Sequence, residues 1–132
     1  MFPNFIQDLE ILLDAGVRVS LYYGDADYIC NWFGGQAVSL AVNYSHAAEF
    51  AKAGYQAMTV DGVEYGEVRQ YGNFSFLRVY EAGHEVPFYQ RKCFQFMLCS
   101  VVSVAQYSRL TADYSRRGAG AVQPHHQSLE YC

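Results

Sequence analysis

Apolar and polar positions fall into three rhythms along the chain. Between Asn4 and Gly16 the residues Phe5, Ile6, Leu9, Leu12 and Leu13 recur at helical spacing, which predicts a one-faced helix capped by Asn4 and ended by Gly16. Val17 to Tyr23 is β-branched and aromatic and stops at Gly24-Asp25, as a strand stops at a turn. Small and apolar residues from Trp32 to Asn43 suit a second helix, and Ser45 is placed to cap a third that runs through Ala53 to Gly54. Then the period shortens. Ala57–Val60 and Val63–Tyr65 flank Asp61-Gly62, the dipeptide that suits a type I′ hairpin turn, with the second arm extending to Gln70. Phe74 to Tyr80 alternates as a further strand and ends at Glu81-Ala82-Gly83-His84. Helices that lead directly into strands predict an α/β fold, a sheet covered by helices.

The chain changes character after Gln90. Residues 1–90 read as one domain portion and residues 91–132 as a divergent tail, with a helix expected over 91–107 and loose chain beyond it. At 132 residues, 52% of them hydrophobic and 17% charged, the protein is one domain at most and neither disordered nor coiled coil. Nine basic against 13 acidic residues leave a charge of −4 and no basic stripe for a nucleic-acid backbone. The longest nearly apolar stretch, Cys93 to Ala105, is too short to span a bilayer. No secretory signal is visible at the start, so the chain reads as intracellular or as part of something longer.

Open α/β sheets carry their chemistry at the carboxyl ends of strands, and Asp25, Asp27 and His84 all fall there. An acid that precedes a histidine has the chain order of the second and third members of a hydrolase triad. A carboxylate on one ring nitrogen fixes the tautomer and leaves the other nitrogen free to take a serine proton. However, none of the nine serines has glycine two positions away on both sides, so the nucleophile elbow is not in these 132 residues. The four cysteines, at 30, 93, 99 and 132, fit no zinc spacing, and neither a metal nor a cofactor is expected. Asn43-Tyr44-Ser45 and Asn73-Phe74-Ser75 are glycosylation sequons if the chain enters the secretory path. His46 reads as a solvated surface residue.

The run Tyr23-Gly24-Asp25-Ala26-Asp27-Tyr28-Ile29-Cys30-Asn31-Trp32-Phe33-Gly34-Gly35 resembles the triad-acid segment of serine carboxypeptidases. Gly83-His84-Glu85-Val86-Pro87-Phe88 resembles their histidine segment, and Tyr71 to Phe76 is similar to the strand approach in secreted fungal members. The likeness covers about Asp8 to Gln90 and implies the C-terminal part of an α/β-hydrolase fold. By this resemblance Asp27 is the triad carboxylate, Asp25 the neighbour that ties the loop, and His84 the general base and then acid. Cys30 would be an unpaired, buried thiol beside the site or a small hydrophobe under the loop, followed by Asn31 and Trp32. The implied substrate is a peptide with a free C-terminal carboxylate, and the implied location is extracellular or vacuolar.

Three departures accompany the likeness. The Gly-Glu-Ser-Tyr-Gly nucleophile segment is missing, the match stops at Arg91, and Glu85 stands where many members have Met. Glu85 either faces solvent or raises the basicity of His84. A chain that needs a missing N-terminal part for its nucleophile should be inactive alone. It should also fold poorly, with at least two strands short of the parallel neighbours that part would provide. The alternatives are a non-catalytic fragment or pseudogene product, and a binding module on a partial hydrolase scaffold.

Overall fold

The computed structural model describes residues 5–95, 97 and 98. Helix α1, Phe5–Asp14, turns only Ile6, Leu9 and Leu13 toward the core. Phe5 and Leu12, expected on that face, lie on its flank and stay exposed, as does Ile11. The helix ends as expected: Gly16 takes a left-handed φ of 77° while its amide donates to Leu13 O and that of Val17 to Leu12 O, which satisfies two terminal carbonyls. Strand β1 is Val19–Gly24, α2 is Trp32–Ala41 and α3 is Ala47–Lys52. Ser45 does not cap α3. The cap position is His46, and the Ser45 amide and hydroxyl both donate to Asp14 Oδ1, at 2.8 and 2.7 Å. Those two bonds hold the Asp14 carboxyl below its usual range and pin α1 to the α2–α3 corner. His46 is exposed as expected, with its ring tilted against Tyr71.

Strands β2, Gln56–Val60, and β3, Val63–Tyr71, form the expected hairpin, and positive φ at both Asp61 and Gly62 matches a type I′ turn. Strand β4, Phe74–Val79, follows antiparallel to β3 and then pairs in parallel with β1. The sheet order is therefore β1-β4-β3-β2. Strands β1 and β4 thus pair in parallel with each other, because α2, α3 and the β2–β3 hairpin return the chain beside its own first strand, and β1 stands at one edge of this sheet.

Alternation along β4 builds a core on each face of the sheet. Phe74 and Phe76 have no exposed surface and pack with Leu13, Val42, Tyr44 and Phe50 beneath the three helices. Leu77 and Val79 face the other way, toward Met58, Ala82, Val86, Cys93 and Met97. Each such fully buried side chain contributes about 1.5–3 kcal/mol through the water it sheds. Helix α4, Val86–Tyr89, leads into residues 91–95, which are helical and bring Cys93 into this second core. Burial there pushes the Cys93 thiol up in pKa. The remainder of the helix expected over 91–107 and the tail beyond lie outside the described residues, apart from helical 97 and 98. Among the described residues no helix is long and apolar enough to cross a membrane.

Asn73 has a structural use that its sequon did not suggest. Its Nδ2 donates to Leu13 O at 2.9 Å and Val17 O at 2.7 Å, so it holds the end of α1 to the start of β4. A glycan on Nδ2 would remove one of these two donors at a half-buried position, and the folded chain therefore argues against Asn73 as an acceptor. Asn43 is exposed. Asn73→Asp, which sets acceptors against two carbonyls, is expected to destabilise the fold by about 1–3 kcal/mol in urea denaturation. An unchanged midpoint would show that these bonds do not anchor α1.

Candidate active site

The register of β1 with β4 decides the site. Gly24 is opposite Val79, so the two parallel strands end at the same level and their following loops emerge side by side. Two backbone bonds lock the loops together: the Asp25 amide donates to Val79 O at 2.9 Å, and that of Ala26 to Ala82 O at 3.0 Å. From there Asp27 and His84, 57 residues apart, meet with Nδ1 of the ring 2.8 Å from Asp27 Oδ2.

The loop between β1 and α2 holds this carboxylate rigidly. Asp27 Oδ1 accepts from the amides of Ile29 and Cys30, both at 3.0 Å, which aims Oδ2 at the histidine. Asn31 then caps α2 by accepting from the Gly34 amide at 2.9 Å, and so fixes where the loop ends. Desolvation acts most strongly on the Asp27 carboxyl and raises its pKa. The His84 hydrogen bond, the Cys30 amide, attraction to His84 and the Ile29 amide outweigh it together and hold the group below its usual range. An ionised carboxylate can only accept, so Nδ1 of His84 is the donor in this bond and Nε2 is the ring nitrogen left for another group. The Asp27 side chain is 7% exposed and that of His84 is 69% exposed. The acid is buried behind a histidine that faces outward, which suits a base able to reach a partner group.

The other expected residues are distributed unevenly around this pair. Asp25 is adjacent, but its amide and the carboxylate of Asp27 tie the loop. Among the described residues the Asp25 carboxylate makes no hydrogen bond. Cys30 is unpaired, as the resemblance implied, but it is exposed rather than buried. The loop extends past the end of the sheet, where Tyr28 and Ile29 are also exposed, and nothing among the described residues covers it. Glu85 is exposed at the start of α4, with no side-chain cap bond. Gly83 leaves room for the Tyr89 ring, which a Cβ there would meet at 3.1 Å.

Trp32 is stacked on Phe33, with ring centroids 3.8 Å apart, and carries the guanidinium of Arg78 4.0 Å above its ring. Arg78 had no signal in the sequence beyond its place one residue before the end of β4. Its carbon lies 5.3 Å from the Tyr80 ring centroid and its Nη1 is 3.4 Å from Glu67 Oε1, so it anchors the first turn of α2 to the sheet. The spacing of the cysteines also hid a donor group. Asp27, Cys30 and His84 bring a carboxylate oxygen, a sulfur and a ring nitrogen within 4.8 Å of one another.

The chain is similar to known proteins in sequence and in fold. A family model described as serine carboxypeptidase matches residues 1–104. Carboxypeptidase S1 homolog A of Arthroderma otae is 63% identical over 87 residues, 66% of this chain and 13% of that protein. Carboxypeptidase S1 of Penicillium janthinellum is 45% identical over 87 residues, covering 66% of this chain and 21% of its own length. Carboxypeptidase Y of Schizosaccharomyces pombe is 41% identical over 100 residues, 76% of this chain and 10% of its own. Among solved structures, the prohormone-processing carboxypeptidase Kex1Δp of Saccharomyces cerevisiae superposes with a TM-score of 0.68 at 25% identity. That match covers 78% of this chain and 23% of the other. The chain thus spans between a tenth and about a fifth of the length of these curated relatives. Its mixed sheet with flanking helices is part of an α/β-hydrolase fold. With the family model matching most of its length, the chain belongs to the serine carboxypeptidase family.

Proposed function

We propose that this chain supplies the acid and the histidine of a serine-type carboxypeptidase site, with Asp27 and His84 as the second and third triad members. The observation that carries the reading is the 2.8 Å bond between Asp27 Oδ2 and His84 Nδ1 at the ends of two parallel strands. In that role Nε2 of His84 takes the proton of a serine hydroxyl as it attacks the last peptide carbonyl, then returns it to the leaving amine. Asp27 holds the ring and stabilises the imidazolium that forms. The substrate is a peptide with a free C-terminal carboxylate, and the setting extracellular or vacuolar, with Asn43 as the surface sequon. The serine, the oxyanion hole and the carboxylate-binding groups come from sequence that is not in these 132 residues, where no Gly-x-Ser-x-Gly occurs.

The test is a chimera. Residues 8–90 replace the matched segment of a complete Arthroderma carboxypeptidase S1 homologue, and release of the C-terminal amino acid from a peptide is measured. The expected result is hydrolysis that an organophosphorus serine reagent abolishes, with none from the 132-residue chain alone. A folded but inert chimera would remove the catalytic reading and leave a non-catalytic module on a hydrolase scaffold.

A further inference from the structure

We propose that Asp27, Cys30 and His84 form a binding site for a single thiophilic divalent cation, of the zinc or cadmium class. Their donor atoms, a carboxylate oxygen, a thiol sulfur and an imidazole nitrogen, lie within 4.8 Å of one another. This is the mixture of oxygen, nitrogen and sulfur that zinc takes, and it excludes magnesium and calcium, which need oxygen cages. With metal–ligand bonds of about 2.0–2.3 Å, tetrahedral donors stand roughly 3.2–3.8 Å apart, so closing the site takes about 1 Å of side-chain adjustment. Cys30 and His84 are both exposed and can make that adjustment.

Asp27 is the fixed member. Its Oδ1 is held by the Ile29 and Cys30 amides, which is the kind of outer support that orients a metal-binding carboxylate, and its Oδ2 is the oxygen presented to the cluster. Cys30 follows three residues later on the same turn, so two ligands come from one short loop and the third from the loop that follows β4. On binding, the Cys30 thiol gives its proton to solvent, and the His84 ring carries its proton on Nε2 instead of Nδ1, so that Nδ1 beside Asp27 Oδ2 is free to ligate. Thiolate and carboxylate then balance the charge of the cation, and a fourth position is left open to water. A cation on Asp27 Oδ2 takes the lone pair to which His84 donates, so metal and hydrogen bond compete. If the triad reading above holds, occupancy silences the site, but the binding itself does not rest on that reading.

The probe is Cd²⁺ titrated into the reduced 132-residue chain in which Cys93, Cys99 and Cys132 are replaced by Ser and His125 and His126 by Gln. The readout is the ultraviolet thiolate-to-cadmium absorption. One equivalent should bind, with affinity falling at least ~10-fold in both His84→Gln and Asp27→Asn. If the multiple variant loses its fold by circular dichroism, Cys30→Ser in the otherwise unaltered chain is expected to lose one equivalent of bound metal. No absorption, an affinity indifferent to His84 and Asp27, or no equivalent lost with Cys30→Ser would each overturn the proposal.

Discussion

Asp27→Asn in the active chimera is expected to lower kcat by about 10⁴-fold while KM changes little, because the substitution reverses a proton rather than removing a contact. The Asn Oδ1 can still accept from the Ile29 and Cys30 amides, so the loop is kept. What replaces Oδ2 is an amide nitrogen, a donor, 2.8 Å from a ring nitrogen that now carries the proton. His84 must then accept at Nδ1 and hold its proton at Nε2, and in that tautomer it cannot take one from a serine. A fall of less than ~10-fold would mean that Asp27 does not set the tautomer. The same substitution has a stability signature with a definite sign. The Asp27 carboxyl is held below its usual range in the folded chain, so its contribution is present at neutral pH and is lost as pH falls through the folded value. Asp27→Asn is therefore expected to flatten part of the acid limb of the stability–pH profile and leave the alkaline limb in place.

The elements were legible where a residue's local chemistry decides the backbone. Gly16 at the end of α1 and Asp61-Gly62 in the hairpin take left-handed φ values that few other residues accept, and both stand where the sequence placed them. The ordered acid and histidine were legible for a different reason: two strands that end in acid- or base-bearing loops pair in parallel register, so order along the chain became proximity in space. What the sequence hid depends on neighbours far along the chain. Ser45 looked like a cap, but Asp14, 31 residues away, competes for its hydroxyl. Asn73 looked like a glycan acceptor, but two carbonyls 56 and 60 residues away already take its amide protons. Cys30, which the resemblance implied to be a buried thiol, is exposed because its loop extends past the sheet. Arg78 needed Trp32 and Tyr80 on either side before its charge had a place.

Gly24→Ala is the substitution expected to break fold and site together. Gly24 is buried at the last position of β1, and a Cβ there would collide with the carbonyl oxygens of Ala82 and Gly83 and lie 2.6 Å from the Ala82 carbonyl carbon. These are backbone atoms, so no rotamer change can relieve the overlap. The Ala82 oxygen is also the acceptor that locks the acid loop through the Ala26 amide. Moving the 82–84 segment away therefore opens the Ala82–Ala26 bond and carries His84 off Asp27. Overpacking against backbone is expected to cost about 3 kcal/mol or more, a fall in Tm of roughly 10 °C or more for a unit of this size. In the chimera, activity should fall even at temperatures where the protein remains folded. Gly54→Ala is the control, since its Cβ would meet nothing within 4 Å, and Tm there should stay level or rise slightly. If both substitutions behave alike, the close approach of β1 to the histidine loop is not what aligns the pair. If only Gly24→Ala loses stability and activity together, then a missing methyl group at residue 24 is as necessary to the Asp27–His84 bond as either partner.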